Sequence, residues 1–160
     1  MPQALLEIQV GELLRDRRLT LVTAESCTGG LIGHRLTNVP GSSEYYIGGV
    51  VAYAYEAKVA LLGVTWDTLH RYGAVSEEVA LAMARGVRTA LNSQLGVAVT
   101  GIAGPGGGMP NKPVGLTWIA LSTPNQEFAH WFVWDKDREG NKQASAQAAL
   151  QMVFDYLKKG

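Results

Sequence analysis

Hydrophobic positions along this chain change their spacing several times, and each change marks a predicted element. Leu5, Leu6, Ile8, Leu13 and Leu14 recur mostly at helical intervals, and Arg15, Arg17 and Arg18 follow where the negative end of a helix favours cations. The spacing predicts a first helix there. Residues 19–24 (LTLVTA) form a short, partly β-branched run bounded by polar residues, which fits a buried strand. Helical spacing returns at Leu31, Ile32 and Leu36, directly after the pair Gly29-Gly30. Residues 45–55 (YYIGGVVAYAY) predict a second strand, whose inner Gly48-Gly49 suggests a bulge or a close backbone approach. Residues 56–62 predict a helix that stops at Gly63. Ser76 caps a longer helix, with Glu77 and Glu78 in its positive first turn and Val79, Met83, Val87 and Leu91 on its buried face. Residues 95–100 form a third strand that runs straight into the glycine-rich loop 101–108. Residues 114–122 and 127–134 alternate as a strand pair around Pro124-Asn125, and Ala149, Met152, Val153, Tyr156 and Leu157 define a C-terminal helix.

Strands and helices interleave early, and two strands come together late. That order predicts an α/β fold, a three-layer α/β/α sandwich with a mixed, mostly parallel sheet. With 160 residues, 47% of them hydrophobic, and no linker or repeat, a single domain over residues 1–160 is expected. Lys and Arg number 14 and so do Asp and Glu, leaving no basic excess to neutralise a nucleic-acid backbone or an anionic lipid surface. The expected partner is therefore a small molecule, with no nucleic acid and no membrane. Cys27 is the lone cysteine and no Cys/His cluster has zinc-ligand spacing, so neither an internal disulfide nor a metal site is expected. The N-terminal stretch 1–7 lacks the basic start and apolar run of a secretion signal, and no run approaches the ~20 apolar residues of a membrane span. These features together predict a cytoplasmic protein.

Candidate chemistry concentrates in residues 23–30, TAESCTGG, at a predicted strand-to-helix turn. In open α/β sheets ligands bind at such turns. Ser26 or Cys27 could be a nucleophile, with free N–H groups at the helix start stabilising an oxyanion or holding a phosphate. Gly29 and Gly30 would let a substrate approach the backbone. The other reading of the same residues is a plain N-cap. A serine needs a base. His34, His70 and His130 lie in no motif with a nearby acid, and Asp67 with His70 makes two metal ligands without a third. Lys58 follows an apolar, aromatic stretch; it becomes a base only if its pKa falls from ~10.4 through desolvation or a neighbouring cation. On a short solvated helix it would stay an ordinary surface lysine. Thr100-Gly101 puts another hydroxyl at the end of the third strand, and residues 104–108 offer N–H groups as an anion nest would. Arg138 precedes the last helix, where it either reaches a phosphate or belongs to a solvated charge cluster.

Taken in series, residues 23–30, Pro40-Gly41-Ser42-Ser43, Tyr53 through Lys58, Gly73-Ala74-Val75-Ser76, Thr100-Gly101-Ile102-Ala103-Gly104-Pro105 and Lys112-Pro113-Val114-Gly115 resemble the CinA C-terminal domain family. Order and gaps match from about residue 5 to the C-terminus. The resemblance implies hydrolysis of the carboxamide of nicotinamide mononucleotide (NMN) to nicotinic acid mononucleotide and ammonia, in pyridine nucleotide salvage. It implies Ser26 as nucleophile, Lys58 as its base and Tyr53 as the accompanying tyrosine. Cys27, Thr28, Gly29, Gly30, Ser43, Thr100, Gly101, Gly104 and Arg138 are then the expected substrate-binding positions. Family members often carry an arginine where Lys142 stands, so Arg138 is the expected phosphate contact with Lys142 in reserve. No cofactor and no metal are implied, and a homo-oligomer, most simply a dimer, is expected. The chain resembles the stand-alone deamidases of the family rather than the tail of a longer protein. The rival reading is a non-catalytic nucleotide- or protein-binding module of the same fold; hydrolysis of a different small amide would keep the site and change the substrate.

Overall fold

Alternate residues of each central strand feed two separate cores, which is how a run apolar on both faces becomes the middle layer of three. The computed structural model describes residues 3–160; Met1 and Pro2, the first residues of the stretch read for a secretion signal, lie outside them. The elements are α1 (Leu6–Arg17), β1 (Leu21–Glu25), α2 (Leu31–Thr37), a short 3-10 turn (Ser42–Glu44), β2 (Tyr46–Val51), α3 (Tyr55–Leu62), α4 (Trp66–Tyr72), α5 (Glu77–Ala90), β3 (Leu95–Gly101), β4 (Leu116–Ser122), β5 (Glu127–Val133) and α6 (Arg138–Lys159). Leu21, Val97, Val99, Ile119 and Leu121 face α1, α2 and α6. Val22, Ala24, Ala98 and Ala120 face α3, α4 and α5. Among the described residues no helix is long and apolar enough to cross a membrane.

The sheet runs in the order β2-β1-β3-β4-β5. β1 pairs in parallel with β2 and β3, whereas β3–β4 and β4–β5 pair antiparallel. Only β4 is reversed, so the C-terminal ends of β1, β2, β3 and β5 share one edge. The mixed, mostly parallel α/β/α sandwich expected from the sequence is the fold observed.

Several boundaries differ from the pattern reading. The predicted strand over residues 45–55 ends at Val51, because the chain leaves the ladder after the Ala52 N–H donates to the Glu25 carbonyl at 2.9 Å, and Tyr55 already opens α3. The bulge falls at Ile47, where the register jumps from Leu21↔Tyr46 to Val22↔Gly48. Gly49 is the close approach: a Cβ there would collide with Thr23 Oγ1. Residues 66–72 form a helix, α4, that was not anticipated; Thr65 caps it by accepting from the Thr68 N–H at 3.1 Å. Arg138 is not ahead of the last helix but its first residue, behind the Asp137 cap.

Candidate functional site

The β-ladder holds up to the residue that matters most. Ser26 follows the last residue of β1, and its backbone N–H donates to the Val99 carbonyl of β3 at 3.0 Å. The chain then reverses through Gly29 and Gly30, at φ 61° and 103°, a left-handed conformation that glycine adopts without a Cβ penalty. Ser26 thereby sits on a sharp strand-to-helix turn at the shared C-terminal edge of the sheet.

Lys58 comes to it from α3. Its side chain is 1% exposed, and Nζ donates to Ser26 Oγ at 2.9 Å and to the carbonyls of Ala52 and Tyr53 at 3.0 Å each. Burial pulls its pKa below the ordinary lysine value, with the nearby Cys27 acting slightly the other way. The two carbonyls can only accept. A neutral amine has two N–H groups, which those carbonyls take up, and its lone pair is then left facing the Ser26 hydroxyl. An amine placed in this way is chemically able to accept a proton from a serine without a histidine.

Cys27 is adjacent but differently placed. Its thiol is buried in the core between the sheet and α1, α2 and α6, and burial pushes its pKa up to about 12. At neutral pH it stays protonated and inert.

The start of α6 closes the other side. Arg138 donates from Nη1 to the Gly104 carbonyl at 2.8 Å and from Nη2 to the Tyr53 hydroxyl at 3.0 Å. Asn141 donates from Nδ2 to the Ala103 carbonyl at 2.9 Å, while its Oδ1 accepts from the Lys136 N–H at 3.0 Å. One turn further along, Lys142 Nζ lies 3.8 Å from where a Cβ on Gly29 would sit. One cationic side chain, Lys142, therefore lies against the glycine turn, and a second, Arg138, against the loop that begins at Gly104.

The structure brings Ser26, Cys27, Gly29, Gly30, Lys58, Tyr53, Gly104, Arg138 and Lys142 into one region, with roles that the spacing could not give. Tyr53 meets Lys58 through its carbonyl, whereas its side chain is 61% exposed and its hydroxyl belongs to Arg138. The Thr28 and Thr100 hydroxyls are spent internally, donating to Glu25 Oε1 at 2.6 Å and to the Ala74 carbonyl at 2.8 Å. Gly101 is a packing glycine: a Cβ on it would press on Thr117 Oγ1 at 2.6 Å and Cys27 Sγ at 3.1 Å. Ser43 lies apart from the others. It is exposed on the turn that leads into β2, and β2 runs parallel to β1, so its start is at the opposite edge of the sheet from Ser26. The expectation of phosphate at the α2 start also changes, because the Ile32 and Gly33 N–H groups already donate to Glu25 at 2.9 and 3.0 Å. Sequence reasoning missed Asn141 and the Ala52 carbonyl. Neither carries a motif, and only the fold places them.

Fold and site together define an α/β protein with a buried serine–lysine pair on a strand-to-helix turn. The family model of the CinA C-terminal domain matches residues 3–157, and the chain belongs to that family. A CinA-like protein of Salinibacter ruber is 52% identical over 146 residues, covering 91% of this chain and 35% of the relative. The chain spans little more than a third of the length of the curated relatives it matches. Among solved structures, a CinA-superfamily protein of Klebsiella pneumoniae superposes with a TM-score of 0.93 at 31% identity, over 97% of both chains. A competence/damage inducible protein of Agrobacterium tumefaciens gives 0.89 at 39% identity, over 99% of both.

Proposed function

We propose that the chain hydrolyses the carboxamide of NMN to nicotinic acid mononucleotide and ammonia. One observation carries this reading: the 2.9 Å hydrogen bond between the buried Lys58 amine and the Ser26 hydroxyl. The family's resemblance supplies the substrate. Lys58 takes the serine proton as Oγ bonds to the carboxamide carbon, and the carbonyl oxygen becomes an oxyanion. Backbone N–H groups of the 27–30 turn stabilise that charge. Lys58 then hands its proton to the amide nitrogen as the C–N bond breaks and ammonia leaves. A water, deprotonated by Lys58, hydrolyses the Ser26 ester and frees the carboxylate. The pyridinium charge makes the carbonyl more electrophilic and favours NMN over neutral amides. Arg138, with Lys142 beside it, takes the phosphate as a charge-assisted hydrogen-bond partner. No step calls on a metal or a cofactor.

The test is ammonia release from NMN by the purified protein treated with chelator, run beside Ser26→Ala. Turnover by the native chain and none by the variant is the expected result. A folded native chain that binds NMN without releasing ammonia overturns the enzyme reading in favour of a binding module.

A further inference from the structure

We propose that Glu25 is a positioning residue for the nucleophile: its buried carboxylate shapes the 26–30 turn so that N–H groups beside Ser26 stay open for the oxyanion. This rests on the serine-hydrolase reading above. Glu25 is 2% exposed, and no lysine or arginine forms an ion pair with it among the described residues. A buried carboxylate without a cation needs other compensation. It gets it from three donors: Thr28 Oγ1 at 2.6 Å, the Ile32 N–H at 2.9 Å and the Gly33 N–H at 3.0 Å. The positive end of α2 adds to these.

The backbone donors around the turn can be accounted for one at a time. Ser26 N–H goes to Val99, Gly29 N–H to Ser26, Leu31 N–H to Thr28, and Ile32 and Gly33 to Glu25. The N–H groups of Cys27, Thr28 and Gly30 are left without an acceptor among the described residues. Cys27 and Thr28 are themselves buried, at 7% and 1% exposure. Open donors on buried residues next to a nucleophile are what an oxyanion requires. The carboxylate produces that pattern by gripping the turn at Thr28 and again at the first turn of α2, which leaves the intervening backbone one conformation.

The experiment measures phosphonylation of Ser26 by a fluorophosphonate, in which Oγ bonds to phosphorus as the P–F bond breaks and the proton and fluoride leave. That reaction uses the same donors on its P=O oxygen and needs no NMN. Glu25→Gln places an amide N–H against a backbone N–H, and labelling is expected to slow ~100-fold. In the ammonia assay, kcat falls in step while KM for NMN and the pH profile stay as in the native chain. Thr28→Val, which removes one grip and keeps the carboxylate, is expected to slow labelling ~10-fold. If Glu25→Gln labels at the native rate, or loses rate only as its folded fraction falls, Glu25 is a plain helix cap and the inference is overturned. If that variant does not fold, Thr28→Val decides, and a native rate there overturns it. A native chain labelled at Ser26 but inert toward NMN refutes the substrate and leaves the positioning role to be judged on the labelling ratio. A native chain that is not labelled at all overturns both.

Discussion

Lys58 is the residue on which the proposed chemistry turns, because its burial and its three acceptors act in opposite senses. The carbonyls and the serine oxygen would welcome an ammonium, yet desolvation prevails and lowers the pKa. The rate of ammonia release at low NMN should therefore rise with pH through a single ionisation that lies below the ordinary lysine range. Lys58→Met should remove that limb and reduce kcat by ~1000-fold. The same shift has a consequence for stability. Between the folded and unfolded pKa values the unfolded chain binds more protons, so stability rises with pH across that window. Melting temperature measured against pH should climb there for the native protein, and Lys58→Met should lack the climb. Cys27 offers a contrast. With its thiol held protonated, Cys27→Ala should retain most of the ammonia release that Ser26→Ala abolishes, and the opposite result would transfer the nucleophile to sulfur.

At the scale of elements, α3 is short and depends on its neighbour for its position. Gly86 lets α5 come up against the last carbonyl of α3: a Cβ there would run into the Leu62 carbonyl oxygen. Gly86→Ala should cost ~1–3 kcal/mol in denaturant unfolding, and should lower kcat as well because α3 carries Lys58. Most elements are legible in the sequence because their apolar spacing is governed by one or two buried faces. The α5 face of Val79, Met83 and Val87 is an example, and all three are fully buried. α4 is not legible in this way, since Leu69 is its only buried residue and a single apolar position defines no period. The 45–55 stretch reads as one strand because alternation continues past Val51. The strand ends where the chain leaves the ladder after Ala52 and turns into α3, with the Ala52 and Tyr53 carbonyls accepting from Lys58, a side-chain contact that alternation does not register.

For the molecule as a whole, the site is assembled from segments that are distant in sequence. Residues 25–33, 52–58, 103–104 and 138–142 meet because four strands end at one edge. Their convergence could not be read from spacing. Resemblance to a family named most of the residues, and it also named Ser43, which the topology puts at the far edge. The proposed phosphate end is a property of this assembly, since Arg138 reaches Gly104 and Tyr53 only through the path of β4 and β5. Arg138→Ala should raise KM for NMN by ~10-fold while barely changing the kinetics with nicotinamide riboside, which lacks the phosphate. Thermal shift checks this independently. NMN should raise the melting temperature of the native chain by mass action, and less so for Arg138→Ala.

The reversal of β4 has a practical corollary for handling the protein. β5 returns to the edge that carries Ser26 and releases the chain there, so α6 starts beside Gly104 and runs its 22 residues, roughly 33 Å, away from the cleft. Gly160 comes to rest beside Arg17, the last residue of α1 and the lead-in to β1. A fluorophore, an affinity tag or a solid support coupled through Gly160 would therefore hold the molecule by its far side, with the serine turn facing the solution.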